Sequence, residues 1–259
     1  MESYHVAKSN DYQDYLKLDQ LLTCQKPKTN QLDEMLFIIT HQTCELWFKQ
    51  ILLELEDLIF HFGKNEANTI EKLDRISDLF TLVINQIAIL ENMSPPSFSK
   101  FRSLLGCASG LQSVQFRYME SIMGTTSTCP SYVEKNLTKE QLDNIAYLMK
   151  NSLLLKVDKW FSSLDFPTEN VEIYDGKLSN KSKQAIVYIL KHNMPQLKII
   201  MRLLDLDQKL SLFRYKHIQL VQRMIGTKIG TGGTPCGYLL KTLATNVFGE
   251  ISELISKAL

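Results

Sequence analysis

Residues 36–55 read LFIITHQTCELWFKQILLEL. Apolar side chains here and just beyond (Leu36, Ile39, Trp47, Ile51, Leu55, Leu58, Ile59) recur mostly at intervals of three, four or eight, the helical period rather than the alternation of a strand. The spacing predicts one long helix from 32 to about 62, with an unusually broad apolar face. Its neighbours repeat the pattern. The polar GKNEAN at 63–68 reads as a loop. A second long helix is expected over 70–93, on Leu73, Ile76, Leu79, Phe80, Val83, Ile87 and Leu90, and Ser94-Pro95-Pro96 ends it because proline cannot continue the hydrogen-bond ladder. Ser97 reads as the cap of a short helix to about 105, and 106–110 as a break. Further helices are expected over 111–123, over 139–163 from the capping box of Thr138 and Gln141, and from about 182 to a split at Pro195. Others follow over 203–224 and, after the glycine-rich 226–237, over 238–257.

Composition agrees. The 259 residues hold only 11 glycines and 7 prolines, and scarce breakers favour long helices. Basic and acidic side chains nearly cancel, 29 against 28, so no single-sign field points to nucleic acid or an anionic membrane. The five cysteines are scattered and form no C-x-x-C pair, the pattern of reduced thiols in a cytoplasmic protein. Neither an apolar signal core nor a run long enough to span a membrane is expected. The fold class is therefore all-α: one domain over 1–259, a bundle of long helices, with the polar residues 1–30 as an arm that packs on a neighbour.

Two of five histidines lie inside strongly apolar helices, His41 in FIITHQTCELWFKQ and His217 in SLFRYKHIQLVQRM. A buried imidazole needs a hydrogen-bond partner or a metal, and each alone reads equally as a satisfied core histidine. Glu45, one turn after His41, makes a weak H-x-x-x-E. No H-x-x-x-H or H-E-x-x-H spacing exists, whereas a haem asks only for one axial imidazole and an apolar slot. GTKIGTGGTPCG at 226–237 fails both the P-loop and the dinucleotide patterns, leaving an amide-rich connector suited to closing over a ligand. Phe98 and Arg102 share a helical face, where the guanidinium can grip a carboxylate while the ring packs on the ligand body. A snorkelling surface arginine is the plainer reading, and Arg117 is an equal rival. Tyr12 and Tyr15 would share a face of a helical arm.

Taken in order, DYQDYLKLDQLL, LFIITHQTCELWFKQILLEL, FSKFRSLLGCASGLQSVQFRYME and FRYKHIQLVQRMIGTKIGTGGT resemble the tryptophan 2,3-dioxygenase family. The resemblance runs from about Tyr12 to the last helix and is loose over 124–200. It implies haem b with His217 as the axial ligand, and His41 as the distal histidine facing the indole nitrogen, with Phe37 lining the pocket. It selects Arg102 over Arg117 for the substrate carboxylate, because Phe98 and the Ser109-Gly110 pair fit only that register. Thr231 falls on the threonine that binds the ammonium and carboxylate, and Ser109 on a serine near the bound oxygen. Tyr12, Tyr15 and Leu16 fall on an arm that completes a neighbour's pocket in a homotetramer, a dimer of dimers. The implied reaction inserts O2 across the indole C2=C3 bond of L-tryptophan to give N-formylkynurenine, the first step of the kynurenine pathway. Phe213 stands where the family often has tryptophan, and Cys107-Ala108-Ser109-Gly110-Leu111 replaces Pro-Ala-Ser-Gly-Phe. These departures leave a haem oxygenase of other indoles or aromatic amino acids, or a haem-binding protein without turnover, as alternatives.

Overall fold

Helix starts are set by side-chain caps wherever the sequence supplies a short polar residue. In the computed structural model, which describes residues 11–106, 108–125, 134–169, 176–231, 240 and 242–259, the chain is helical, and no strand occurs among the described residues. Short helices α1 (Asp11–Leu16) and α2 (Leu18–Leu21) precede the long α3 (Leu32–His61) and α4 (Glu66–Ile89). Next come α5 (Pro95–Arg102), α6 (Val114–Met123), α7 (Lys139–Lys150), α8 (Leu153–Ser163), α9 (Asn180–His192), the long α10 (Leu197–Ile225) and α11 (Gly249–Ala258). Asn65, Ser94, Ser113, Thr138, Ser152 and Ser179 each accept a backbone N–H three residues on, satisfying one orphan donor of the helix that follows.

These caps explain where boundaries depart from the apolar pattern. Asn65 starts α4 four residues before its first large apolar side chain, inside the expected loop. Ser94, not Ser97, caps α5, with Pro95 at the first helical position, where its missing N–H costs nothing. The expected helix over 139–163 is two helices, because Ser152 caps a new one immediately after Asn151. The Thr138–Gln141 capping box is present in both directions. Near the C-terminus the expected single helix is interrupted: Val247 and Phe248 turn their N–H groups to the buried carboxylate of Asp207, and α11 begins only afterwards. The expected start of that helix at Tyr238, with Cys107 and 232–237, lies outside the described residues.

The core lies between α3, α4 and α10. α10 packs mainly on α4, and α3 on α4 and α6; α7 covers α6, while α9 joins α8 and α11. Ile51, Leu55 and Leu58 of α3, Leu73, Ile76 and Phe80 of α4, and Leu203, Leu206 and Leu210 of α10 are fully enclosed in one continuous cluster. A smaller cluster of Met93, Phe98 and Phe101 sits where α5 crosses the end of α10. Each buried leucine or phenylalanine contributes about 1.5–3 kcal/mol relative to exposure, so packing of these faces holds the helices in place.

One polar cluster lies inside this frame. Arg214 of α10 meets Glu120 of α6 at 2.7 Å, and Arg117 meets the other oxygen of the same carboxylate at 2.6 Å. Arg214 also donates to the carbonyls of Thr242 and Thr245, tying the segment before α11 to α10. Removing the shared carboxylate leaves two enclosed guanidinium charges without their counter-ion, Arg214 keeping only backbone carbonyls. Glu120→Ala is therefore expected to destabilise the fold by about 3–5 kcal/mol, read as an equal loss in denaturant unfolding free energy. An unchanged midpoint would show that the cluster contributes nothing.

Candidate functional site

The N-terminal half of α3 and the C-terminal half of α10 carry the two buried-helix histidines to a common wall, closed from the side by the turn after α5. On one side of this wall is a cavity of about 930 Å³, mouth included, whose lining contains Phe37, His41, Phe98, Arg102, Ser109, His217 and Thr231. Seven side chains drawn from four separate stretches of sequence thus meet around one space. On the other side is a cavity of about 900 Å³, lined by Cys44, Phe48, Phe116, Phe213 and Ile218, with Arg117, Glu120 and Arg214 at its polar edge. His41, Leu90, Gly110, His217 and Leu220 line both spaces.

The two imidazoles differ in their hydrogen bonds. His41 Nδ1 lies 2.7 Å from the Phe37 carbonyl, which can only accept, so the proton sits on Nδ1 and Nε2 keeps a lone pair. His41 keeps an accessible surface because it faces the cavity, yet the protein around it desolvates the ring and lowers its pKa; the Phe37 carbonyl and Glu45 oppose that shift less strongly. His217 makes no hydrogen bond among the described residues. Burial, then the nearby His41 and Arg117, pushes its pKa down to about 4, so it is a neutral imidazole at physiological pH. Gly110 stands before its Nε2: a Cβ built there would lie 3.8 Å from that nitrogen.

Aromatic packing sets the floor of the cavity. Phe37 stacks on His41 with ring centroids 4.0 Å apart and meets Phe98 and Phe101 at 6.0 and 5.8 Å. Phe101, three residues after Phe98, was legible as a second aromatic of α5, but only the fold shows it anchoring both rings. At the mouth, Arg102 donates to the Ile229 carbonyl at 2.8 Å, and the Thr231 hydroxyl donates to the Ala108 carbonyl at 2.5 Å. These two bonds draw the start of the glycine-rich loop over the cavity and onto the turn after α5.

Arg117 does not share this mouth. It is committed to Glu120 on the far side of the histidine wall, so the two arginines that rank equally by sequence are separated by geometry. Glu45 accepts from Gln115 and clamps α3 to α6 rather than joining His41 in a metal pair. Among the described residues no three His, Cys, Asp or Glu side chains gather as ligands for a bare metal ion. Phe213 is buried against Phe48 and Phe116, with centroids 5.8 and 5.3 Å away. Tyr12, Tyr15 and Leu16 stand on the exposed α1 and do not line either cavity of their own chain. Sequence reading did not anticipate Met93, Leu105, Met224 and Ile225, which complete the apolar lining; they are ordinary helix-face residues with no local signal of a ligand.

Comparison with known proteins agrees in order and extent. The family model described as tryptophan 2,3-dioxygenase matches residues 2–165 and 174–257. Proteins named tryptophan 2,3-dioxygenase from Anaeromyxobacter dehalogenans and Caulobacter vibrioides are each 32% identical to this chain. The first alignment covers 93% of both chains, and the second covers 97% of this chain and 100% of the relative. The namesake from Herpetosiphon aurantiacus is also 32% identical, over 92% of this chain and 95% of its own. With the model matched over most of the chain and relatives of nearly equal length, the chain belongs to the tryptophan 2,3-dioxygenase family.

Proposed function

We propose that the protein is a haem-dependent dioxygenase that opens the indole ring of L-tryptophan to N-formylkynurenine, acting in the cytoplasm. The observation that carries this reading is the common cavity of His217, His41, Arg102 and Thr231. An amino acid with an indole side chain needs a cation for its carboxylate, an acceptor for its ammonium, an acceptor for its N–H, and an apolar bed. Those groups line this one space.

The residues fit a haem. His217 is neutral, lines the cavity and makes no hydrogen bond among the described residues, so a ring nitrogen would be available to hold the iron. Gly110, lacking a side chain, adds no Cβ before Nε2, where one would lie 3.8 Å away. The apolar space beside His217 would give a porphyrin room between α3 and α10. When bound, the haem supplies the activation of dioxygen, which no side chain here can provide.

The chain's own groups do the positioning. The Phe37 carbonyl holds the His41 proton on Nδ1, so Nε2 accepts the indole N–H, and a neutral ring suits that role without acting as an obligatory base. Phe37 and Phe98 pack on the aromatic body. Arg102 exchanges its bond to the Ile229 carbonyl for the substrate carboxylate, and Thr231 exchanges Ala108 for the ammonium and carboxylate. Both exchanges happen at the loop, so the substrate replaces the bonds that already hold it closed. Ser109 flanks the face where oxygen adds. With the amino-acid end held at the mouth, the indole C2=C3 bond is directed inward, where water is excluded. Both oxygen atoms are added across that bond, which breaks. Tyr12, Tyr15 and Leu16, exposed in their own chain, supply the missing cover to the pocket of a neighbour in a homotetramer.

Two measurements test this. Arg102→Ala is expected to raise KM for L-tryptophan by about 30- to 1,000-fold, the equivalent of about 2–4 kcal/mol for a desolvated charged contact. Tryptamine, lacking the carboxylate, should bind wild type and Arg102→Ala alike; equal effects of Arg102→Ala and Arg117→Ala on KM would refute the assignment. His217→Ala is expected to abolish stable haem loading, with the Soret band recovered by added imidazole; an unchanged haem spectrum would refute the axial role.

A further inference from the structure

The outward face of α3 carries a repeat that neither the core nor the cavity uses. Leu32, Ile39, Leu46, Leu53 and Phe60 follow one another at intervals of seven, and each keeps between 43% and 89% of its surface accessible. Opposite them, Cys44, Phe48, Ile51, Leu55 and Leu58 fill the core. Five large apolar side chains stand in one row of about 42 Å, at 1.5 Å per residue, with polar residues such as Thr43 and Gln50 between them. A strict seven-residue repeat is the period of helix-on-helix supercoiling, so the surface suits another helix along its full length better than a compact ligand or a sheet edge.

We propose that this edge is a seam between two copies of the chain, with α3 packed antiparallel against α3 of the second copy about a two-fold axis at Leu46. The stripe is symmetric about its own centre. In that register Leu32 meets Phe60 of the second copy, Ile39 meets Leu53, and Leu46 meets itself, an isologous arrangement in which every apolar layer is filled. Polar neighbours agree: Gln42 faces Gln50, Lys49 faces Thr43, and no like charges are opposed. In a parallel register the same flanks set Lys49 against Lys49 and Glu56 against Glu56.

Size points the same way. A helix strip of this length and about 10 Å width covers about 400 Å² per copy, half of the roughly 800 Å² per partner of a standard stable interface. The remainder is at hand. Tyr12, Tyr15, Leu16 and Leu22 are exposed on the arm. The arm's root is fastened beside the seam: Gln25 donates to Gln42 of α3 at 2.7 Å, and Gln42 donates to the Cys24 carbonyl. A second copy docked along α3 therefore lies where the arm can reach it. The inference rests on the homo-oligomer proposed above only in needing a second copy; haem loading and turnover are read separately.

Site-directed cross-linking of the full-length holoenzyme decides it. Facing helices 8–10 Å apart bring opposed Cα atoms within disulfide reach. Under mild oxidation, Leu46→Cys is expected to form a 46-to-46 dimer bond. The double variant Ile39→Cys/Leu53→Cys should link position 39 of one copy to position 53 of the other. Peptide mass mapping reads the linked pairs, with wild type as background because Cys24 is exposed. Leu46→Glu/Leu53→Glu should lower the sedimenting mass of the wild-type assembly by at least half, at unchanged helicity. Links from 39 to 39, no link within an intact oligomer, or a wild-type monomer would each overturn the proposal, whatever the haem content.

Discussion

Charge is costly in the wall between α3 and α10, and much of the site follows from that cost. His217 stands in apolar surroundings with no hydrogen-bond partner among the described residues, and it stays neutral because protonation there means desolvating a cation. A protonated imidazole is a poor ligand for a metal; a neutral one with a free lone pair is a good one. His41, on the facing helix, is subject to the same penalty, but its proton is fixed by the Phe37 carbonyl. The two rings thus become different reagents through their hydrogen bonds alone. A single buried carboxylate aimed at this wall would change both.

Positive charge is accordingly sorted by depth. Arg117 and Arg214 reach inward and share Glu120, so their charge is largely spent on holding α6, α10 and the segment before α11 together. Arg102 lies half-buried at the cavity mouth, with a backbone carbonyl as its partner. A carbonyl is a weaker partner for a guanidinium than a carboxylate, so in the proposed role an incoming acid would displace it at small cost. The Thr231 bond to Ala108 is of the same exchangeable kind. The mouth is therefore held shut by bonds that a zwitterionic amino acid can take over.

The long helices were legible because their signal is periodic and repeated: α3 begins and ends within a residue of its apolar pattern, and the capping box at Thr138 is present as read. Boundaries set by single hydrogen bonds were less legible. Ser152 splits one apolar run into two helices, and Asp207 stops another with two backbone N–H groups about forty residues away. Nothing in local spacing distinguishes such a cap from a surface serine or aspartate. At the site, the family motif selects Arg102 over Arg117, and of the two only Arg102 lacks an acidic partner among the described residues. The apolar lining by Met93, Met224 and Ile225 was illegible because a helix shows the same period whether its face meets a core or a cavity.

α3 serves three surfaces at once, which accounts for its breadth of apolar residues. A straight α-helix drifts about 20° per seven residues against a strict heptad, so four heptads amount to about 80°. The inner face follows the 3.6-residue period and can pack on α4 and α6 without supercoiling. The outer stripe follows seven and stays in line only if the helix winds gently around a partner. One sequence satisfies both because the faces are separate: Phe48, Ile51 and Leu55 meet the core, and Leu46 and Leu53 meet the outside. His41 and Phe37 lie between them, near the end of α3 where the arm is tied through Gln42. Any force that bends or rotates α3 along its outer stripe therefore acts on the histidine wall, so a seam there would couple assembly to the geometry of the site.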